Sequence, residues 1–387
     1  MVSPVQPLRE GPPEANLGKR GITNRQGSSA TQRWNLLTTA RRITTRKSLR
    51  TCGLFTAEGR VSVSLTEKGH ASVSGVHTCG SKLCPVCQAR EAGAQMAKLE
   101  RAATKLLESG GSALFLTLTI PHDRGSDLGE LVTALQKAWS ASMSGQGGKV
   151  WKRYGRTHYL RALDYTHGSN GHHPHYHAVI FMDGVVSDED LYWLEFDLRT
   201  RWSRSVKKST GRDCVHQAVH IKRSEGGATE VVRYAGKALT GMLLEAVWSQ
   251  SKDLGGRTVW DVLCGAESST RDQALWKELE AGFYRRRWLV CSQGLLDLGE
   301  ESEELEDEDS DELERESLVE LSSGFWRAIN RAGVVGLFLS SCESHSTRPK
   351  RWKVWKELCD LSLEVLEPPD WPEWVEAAVM ASGAFRT

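Results

Sequence analysis

HHPHYHAVIF, residues His172–Phe181, sets two imidazoles two positions apart just before an unbroken apolar run. Successive side chains of a strand point to opposite faces. A strand over His175–Phe181 therefore puts His175 and His177 on one face and Tyr176 on the other. Two such rings can share an ion. Imidazole alone suits zinc or copper, whereas an added carboxylate makes manganese or magnesium reasonable for phosphate chemistry. The nearest carboxylate is Asp164 in RALDYTHG, on a second expected strand, His158–Tyr165, which reaches the first through the turn-forming Gly168–Gly171. His172 and His173 precede Pro174 and are expected in the loop ahead of the strand, exposed.

Working outward, Ala113–Ile120 is apolar, rich in Thr and stopped by Pro121, as a buried strand would be. Leu128–Met143 reads as a helix and Gly145–Gly148 as a loop. Ser187–Val206 fits an amphipathic helix, His216–Lys222 a strand and Thr229–Leu244 another helix. Upstream, Val61, Val63 and Leu65 alternate with Ser62 and Ser64, the period of a half-buried strand in a small β element. Met96, Leu99, Ala103 and Leu106 recur at helical spacing across Ala89–Glu108, which Gly110–Gly111 should end. Strands alternate with helices from Ala113 to Leu244, a pattern that a mixed α+β domain and a parallel α/β domain share.

Cys79, Cys84 and Cys87 stand in CGSKLCPVC, and a Cys-x-x-Cys turn aims two thiolates at one ion. Cys52, followed by Gly53, is the best fourth ligand, with His77 as the alternative. Four thiolates leave no open position, so a zinc held there braces the fold. The remaining five of the nine cysteines show no ligand spacing, and an odd count over 387 residues suits reduced thiols.

In TEVVRYAGKAL, Glu230, Tyr234 and Lys237 share one face of the expected helix. A phenol with a pKa near about 10 is a weak nucleophile at neutral pH without a metal or a cation beside it. Taken alone, such a face is usually a solvated one.

Hydrophobic residues make up 39% of the chain and charged residues 26%, the range of an ordinary soluble protein. The formal charge of +1 conceals an asymmetry. Glu300–Glu316 holds twelve acidic residues and Arg315, a net of −11, which leaves +12 elsewhere. Residues 1–50 carry ten Lys or Arg against Glu10 and Glu14, the pattern of a polyanion binder. Residues 1–34 are aperiodic and read as a flexible basic arm that contributes little to a core. They contain no signal-peptide run, and Gly333–Leu339 is too short to span a bilayer, so a cytoplasmic location without membrane partners is expected. The expected organisation continues with a zinc-binding element and helix over 35–110, a catalytic domain over 111–250, a helical extension over 251–299, an acidic linker over 300–317 and a Trp-rich region over 318–387. The acidic run is a solvated linker or, as the alternative, an internal mimic of DNA. Trp326, Trp352, Trp355, Trp371 and Trp374 suggest a packed accessory region or an interaction surface.

A cysteine cluster, the strand FLTLTIPHD (Phe115–Asp123), the HPHYH strand and the YAGK helix follow one another in an order that resembles the plasmid rolling-circle replication initiators of the HUH endonuclease superfamily. The likeness is to the single-tyrosine type with an N-terminal cysteine cluster, and it covers about Cys52 to Leu239. It implies an α+β fold with an antiparallel sheet flanked by helices. It also implies a divalent ion, Mn²⁺ or Mg²⁺, on His175 and His177, with Asp164 in place of the more common Glu, and structural Zn²⁺ on Cys52, Cys79, Cys84 and Cys87. Tyr234 is implied as the nucleophile, with Lys237 after it and Glu230 activating water for hydrolytic release. The implied reaction nicks single-stranded origin DNA and leaves a 5′-phosphotyrosine and a free 3′-hydroxyl primer. The implied partners are the plasmid double-strand origin with its single-stranded hairpin, a host helicase and a polymerase.

Arg233 and Lys207–Lys208 are expected to contact the DNA backbone, and Trp151, Trp193 and Trp202 are candidates for base stacking. Two other readings fit the same motifs: a non-catalytic zinc-dependent nucleic-acid-binding protein, and an HUH transposase or relaxase.

Overall fold

Residues 112–118 (SALFLTL) are apolar on both faces because helices cover both sides of the sheet they cross. The computed structural model describes residues 29–66, 69–240, 256–300 and 317–364. Most of the expected basic arm, the acidic run after Glu300, Trp371 and Trp374 lie outside the described residues.

The strands are β1 (Arg60–Leu65), β2 (Ala71–Ser74), β3 (Ser112–Leu118), β4 (Arg156–Gly168), β5 (Gly171–Met182), β6 (Val219–Arg223), β7 (Leu289–Cys291) and β8 (Val319–Ser322). Five of them form one sheet in the order β6-β3-β5-β4-β7, and every neighbouring pair in it is antiparallel. The fold is therefore α+β, and the parallel alternative is excluded. The long β4–β5 hairpin turns where Gly168 pairs with Gly171. Gly171 has φ +87°, and a Cβ there would lie 3.1 Å from the Asp123 carbonyl and the Arg124 backbone, so glycine suits the turn on both counts.

The helices are α1 (Ser29–Ile43), α2 (Lys47–Arg50), α3 (Pro85–Glu108), α4 (Leu128–Met143), α5 (Gly145–Arg153), α6 (Asp188–Thr210), α7 (Ala228–Thr240), α8 (Val259–Gly265), α9 (Thr270–Gly282), α10 (Ser323–Arg331), α11 (Val335–Glu343) and α12 (Pro349–Glu364). Local chemistry sets many of their ends. Asp127, Ser187 and Ser269 each accept from the amide three residues on, and Thr258 with Asp261 closes a reciprocal capping box. One face of the five-stranded sheet packs on α3 and α7 through Leu99, Phe115, Val179, Val231 and Ala235. The other packs on α4 and α6 through Leu116, Tyr176, Leu131, Leu198 and Trp202. No described helix is long and apolar enough to cross a membrane.

Several expectations change. Gly145–Gly148 is no loop but the opening of α5, with Gly147 and Gly148 buried. A Cβ on Gly147 would collide with the Ser142 carbonyl, so the absent side chain lets two helices meet closely. His172 and His173 lie inside β5, and His172 is buried, bonded to the Tyr165 hydroxyl at 2.8 Å. The basic arm ends earlier than residue 34, since α1 begins at Ser29 and buries Ala30 and Trp34. The segment after Gly256 adds more than helices to the domain, because β7 forms the sheet edge beside β4.

The Trp-rich region is packed against the N-terminal part of the chain. Its first strand, β8, pairs antiparallel with β1, so the small β element is a three-stranded sheet, β2-β1-β8, made from both parts of the chain. Trp326 meets Trp34 edge-on at 5.3 Å and donates its indole N–H to the Gly53 carbonyl at 2.8 Å. Gly53 has φ +67°, and a Cβ there would come within 2.9 Å of the Trp34 ring. Trp326 has no exposed surface. Trp326→Ala is expected to cost roughly 3–5 kcal/mol, the scale for emptying a buried indole site. Denaturant unfolding measures it, and an unchanged midpoint would mean that this contact contributes nothing.

Candidate metal centres and tyrosine site

The cysteine cluster is built by three local elements. The turn after α2 presents Cys52, the segment after β2 presents Cys79, and the start of α3 presents Cys84 and Cys87. Cys84 is the N-cap of α3, its sulfur accepting from the Cys87 amide at 3.5 Å with Pro85 beginning the helix. Cys52 Sγ lies 3.6 Å from both Cys84 Sγ and Cys87 Sγ, and Cys79 Sγ lies 3.7 Å from Cys87 Sγ. These gaps are too long for disulfides, and all four cysteines are free thiols. They match the edge of a tetrahedron with Zn–S bonds of about 2.3 Å, near ~3.8 Å, so the donor set fits zinc. The exposed His77 enters the arrangement only through its backbone, which pairs with Gly53 and Phe55. Beneath the cluster, the buried Arg41 donates to the Cys52 carbonyl at 2.8 Å and to Asn330 Oδ1 at 2.7 Å. Burial draws its pKa down to about 10 against the pull of the nearby sulfurs.

The second cluster lies across the β4–β5 hairpin. The register sets Asp164 opposite His175 and Ala162 opposite His177, so three side chains share one face. Asp164 Oδ2 is 3.3 Å from His175 Nε2 and 3.6 Å from His177 Nε2, with side-chain exposures of 15%, 12% and 15% respectively. Cis ligands on an ion with bonds of about 2.1 Å stand about 3 Å apart, so the set can hold one side of an octahedral ion. Burial would raise the Asp164 carboxyl, but the two imidazoles outweigh it and hold the acid below its usual range. Burial lowers His175 while the Asp164 carboxylate and the His173 carbonyl raise it, with a net increase. His175 Nδ1 faces that carbonyl at 3.3 Å, which leaves Nε2 turned to Asp164.

Tyr234 reaches the same place from α7. Its ring stacks on Phe115 at 4.2 Å and meets His177 edge-on at 5.4 Å. Its hydroxyl lies 3.0 Å from Thr117 Oγ1 and 3.4 Å from His177 Nδ1, and Thr117 Oγ1 is itself 3.4 Å from that nitrogen. Burial pushes the phenol up to about 12, opposed by the hydrogen bond with Thr117. The nucleophile candidate is therefore a neutral phenol at ordinary pH, one residue's reach from the Asp164–His175–His177 group.

Other expected residues stand elsewhere. Glu230 accepts from Ser224 Oγ at 2.5 Å, Gly226 N at 2.7 Å and Glu225 N at 3.1 Å. Ser224 and these amides hold its carboxyl below the ordinary range, so it clasps the loop before α7 and is a weak base. Arg233 is exposed on α7, and the side chain of Lys237 lies outside the described residues. Lys207 and Lys208 are exposed near the end of α6, in the layer opposite Tyr234, and Lys207 pairs with Asp213 at 2.8 Å. Trp151 and Trp202 are buried and cannot stack on bases, whereas Trp193 is 48% exposed.

Four neighbours were missed. Thr117 stands on the strand already singled out, but nothing local marks its contact with Tyr234. Lys222 lies 5.6 Å from the Phe115 ring, on the strand face that also carries His220, and both are exposed. The alternation in VHIKR was the available signal for these two. His173 stacks between His122 at 4.8 Å and His175 at 4.9 Å, extending the imidazole row.

A family model described as "Replication protein" (Rep_1) matches residues 70–324, more than half of the chain and inclusive of every strand described except β1. A similar curated protein is "Protein rep" of Streptomyces lividans, 24% identical over 70% of this chain and 76% of that protein. No solved structure matches. With one matched span taking in the Asp164–His175–His177 group, Thr117 and Tyr234, the chain belongs to the Rep_1 replication protein family.

Proposed function

We propose that this replication protein initiates rolling-circle replication of a plasmid by nicking single-stranded origin DNA with Tyr234, in the manner of the HUH endonucleases. The observation that carries the reading is the Tyr234 hydroxyl set 3.4 Å from His177 Nδ1, beside three side chains with the geometry of a divalent-ion site. Asp164, His175 and His177 would hold Mn²⁺ or Mg²⁺, which supplies electrophilic polarisation of a phosphate oxygen when bound. The residues of the chain do the rest. Phe115 fixes the plane of the Tyr234 ring by stacking, and Thr117 fixes the direction of its oxygen. The Tyr234 oxygen bonds to phosphorus as the bond from phosphorus to the 3′ oxygen breaks. The phenolic proton leaves to solvent and the departing 3′ oxygen takes up a proton, leaving a 3′-hydroxyl and a 5′-phosphotyrosine. Lys222, exposed on the same sheet face, supplies positive charge for the backbone around the scissile phosphate, and the neighbouring His220 offers it a polar ring.

Mixing the protein with a single-stranded oligonucleotide from its own replicon's origin and Mn²⁺ or Mg²⁺ should give a heat-stable protein–DNA band on a denaturing gel. No band with any origin segment would leave a non-catalytic zinc-dependent nucleic-acid-binding protein. Origin-dependent plasmid maintenance separates an initiator from a transposase or relaxase.

Thr117→Val removes the hydroxyl while keeping the shape of the side chain. At saturating oligonucleotide its adduct should form about 10–100-fold more slowly, the scale of a lost positioning contact, and Thr117→Ser should restore most of the rate. Equal rates for Val and wild type would remove Thr117 from the mechanism.

A further inference from the structure

A second basic surface stands apart from the tyrosine site, where α1 and the turn after α2 meet α10. Arg41, Arg42, Arg50, Arg327, Arg331 and Phe55 line an open cavity of about 540 Å³ there. Arg41 is its buried floor, tied to the cysteine-bearing loop through the Cys52 carbonyl. The other four arginines are exposed. Arg42, Arg50 and Arg327 donate to backbone carbonyls of Glu267, Thr44 and Ser323, at 3.4, 3.0 and 3.3 Å. Carbonyls accept hydrogen bonds but cancel no formal charge. Among the described residues, no carboxylate pairs with any of the four. Phe55, at the rim, leaves 50% of its surface in solvent.

We propose that this cavity docks the phosphate backbone of DNA at a point separate from the strand being cut. Like charges gathered around one cavity repel unless an anion sits among them, and guanidinium forks match phosphate oxygens in shape. The cavity is larger than one phosphate needs, so it fits successive phosphates of a backbone, and the exposed Phe55 ring offers a face to an unpaired base or a sugar. None of its residues belongs to β3, β4, β5 or α7, which carry the tyrosine site. A phosphate held in the cavity therefore occupies none of the elements that carry the tyrosine site, which fits a substrate with a folded part and an exposed strand. The proposal takes its polyanion from the DNA-acting reading above and does not depend on tyrosine chemistry. The rival occupant is the chain's own acidic run, which ends at Glu316, eleven residues before Arg327.

The test uses the full chain, a fluorescent hairpin oligonucleotide with a single-stranded tail, no added Mn²⁺ or Mg²⁺, and a salt series. Arg327→Gln/Arg331→Gln should weaken binding about ten-fold or more near 0.1 M salt. It should also flatten the log–log salt slope by about two, close to one for each phosphate no longer neutralised. Arg42→Gln/Arg50→Gln should do the same from the other wall, so one unstable variant does not decide the matter. Adduct formation at saturating oligonucleotide should stay at the wild-type rate. Unchanged affinity and slope in both pairs would overturn the proposal, as would equal losses in Lys149→Gln/Lys152→Gln on α5. Deleting residues 301–316 should leave the arginine effect intact. If that deletion tightens binding for wild type but not for the arginine variants, the acidic run is the occupant and the proposal fails. Weakened binding without any wild-type adduct would overturn the nicking reading and leave this one standing.

Discussion

Tyr234→Phe is expected to give no covalent protein–DNA band at any metal concentration, while the protein folds and binds the same oligonucleotide as before. The change deletes one oxygen. The Phe115 stack survives because it uses only the ring, and what disappears is the hydroxyl's bonding to Thr117 and His177. Removing that hydrogen bond costs about 1 kcal/mol of stability, too little to unfold the chain. Loss of a nucleophile, by contrast, lowers rate on the order of 10⁶-fold, below detection on a gel. A band that persists in the Phe variant would move the nucleophile to another residue. A band lost together with DNA binding would instead point to collapse of the site.

The second large effect concerns the cysteines. Purified protein is expected to carry one zinc, and Cys84→Ala or Cys87→Ala should lose it. Structural zinc contributes about 10 kcal/mol or more to small domains that have little else. Here Cys52, Cys84 and Cys87 also belong to a large apolar core, so a smaller loss of roughly 5 kcal/mol is expected. At this chain size that is a fall of roughly 6 °C in melting temperature. Cys84→Ala should be the worse of the two, because it removes a helix cap as well as a ligand. Metal analysis and thermal melting read both numbers. Protein free of zinc with an unchanged melting temperature would mean that the four thiols are packing groups.

Much of this was legible because it depends on neighbours in the chain. The alternation of HPHYH places His175 and His177 on one side of any strand that contains them, whatever surrounds it. The helical spacing from Met96 to Leu106, the Gly168–Gly171 hairpin and the close set of Cys79, Cys84 and Cys87 are local in the same way. The choice between antiparallel and parallel sheets was not local. It came from the resemblance, and the strand pairings agree with it.

Burial decided where a residue type allows two environments. Trp151 and Trp202 carry indoles that could stack on DNA, yet each is buried under the sheet's far layer, and Trp202 spends its N–H on the Thr119 carbonyl at 2.8 Å. His172 looked like a loop residue because a proline follows two positions later, but Tyr165 and Glu278 give its ring partners that only the folded hairpin and α9 supply. Glu230 stood at the right spacing to face Tyr234, and the loop amides captured it instead.

By itself, the sequence determined which residues share a strand face, which thiols share a turn, and that a tyrosine rides on a helix soon after both, since strand and helix periods act over a few residues. Tertiary structure alone decided that Val61 pairs with Leu321, that Trp326 closes over Gly53, that Thr117 holds the Tyr234 hydroxyl, and that five arginines from two distant segments line one cavity. Such contacts join residues separated by up to some 290 positions, as Arg41 and Asn330 are. Their energy comes from burial and charge in the assembled molecule, and no local repeat records it.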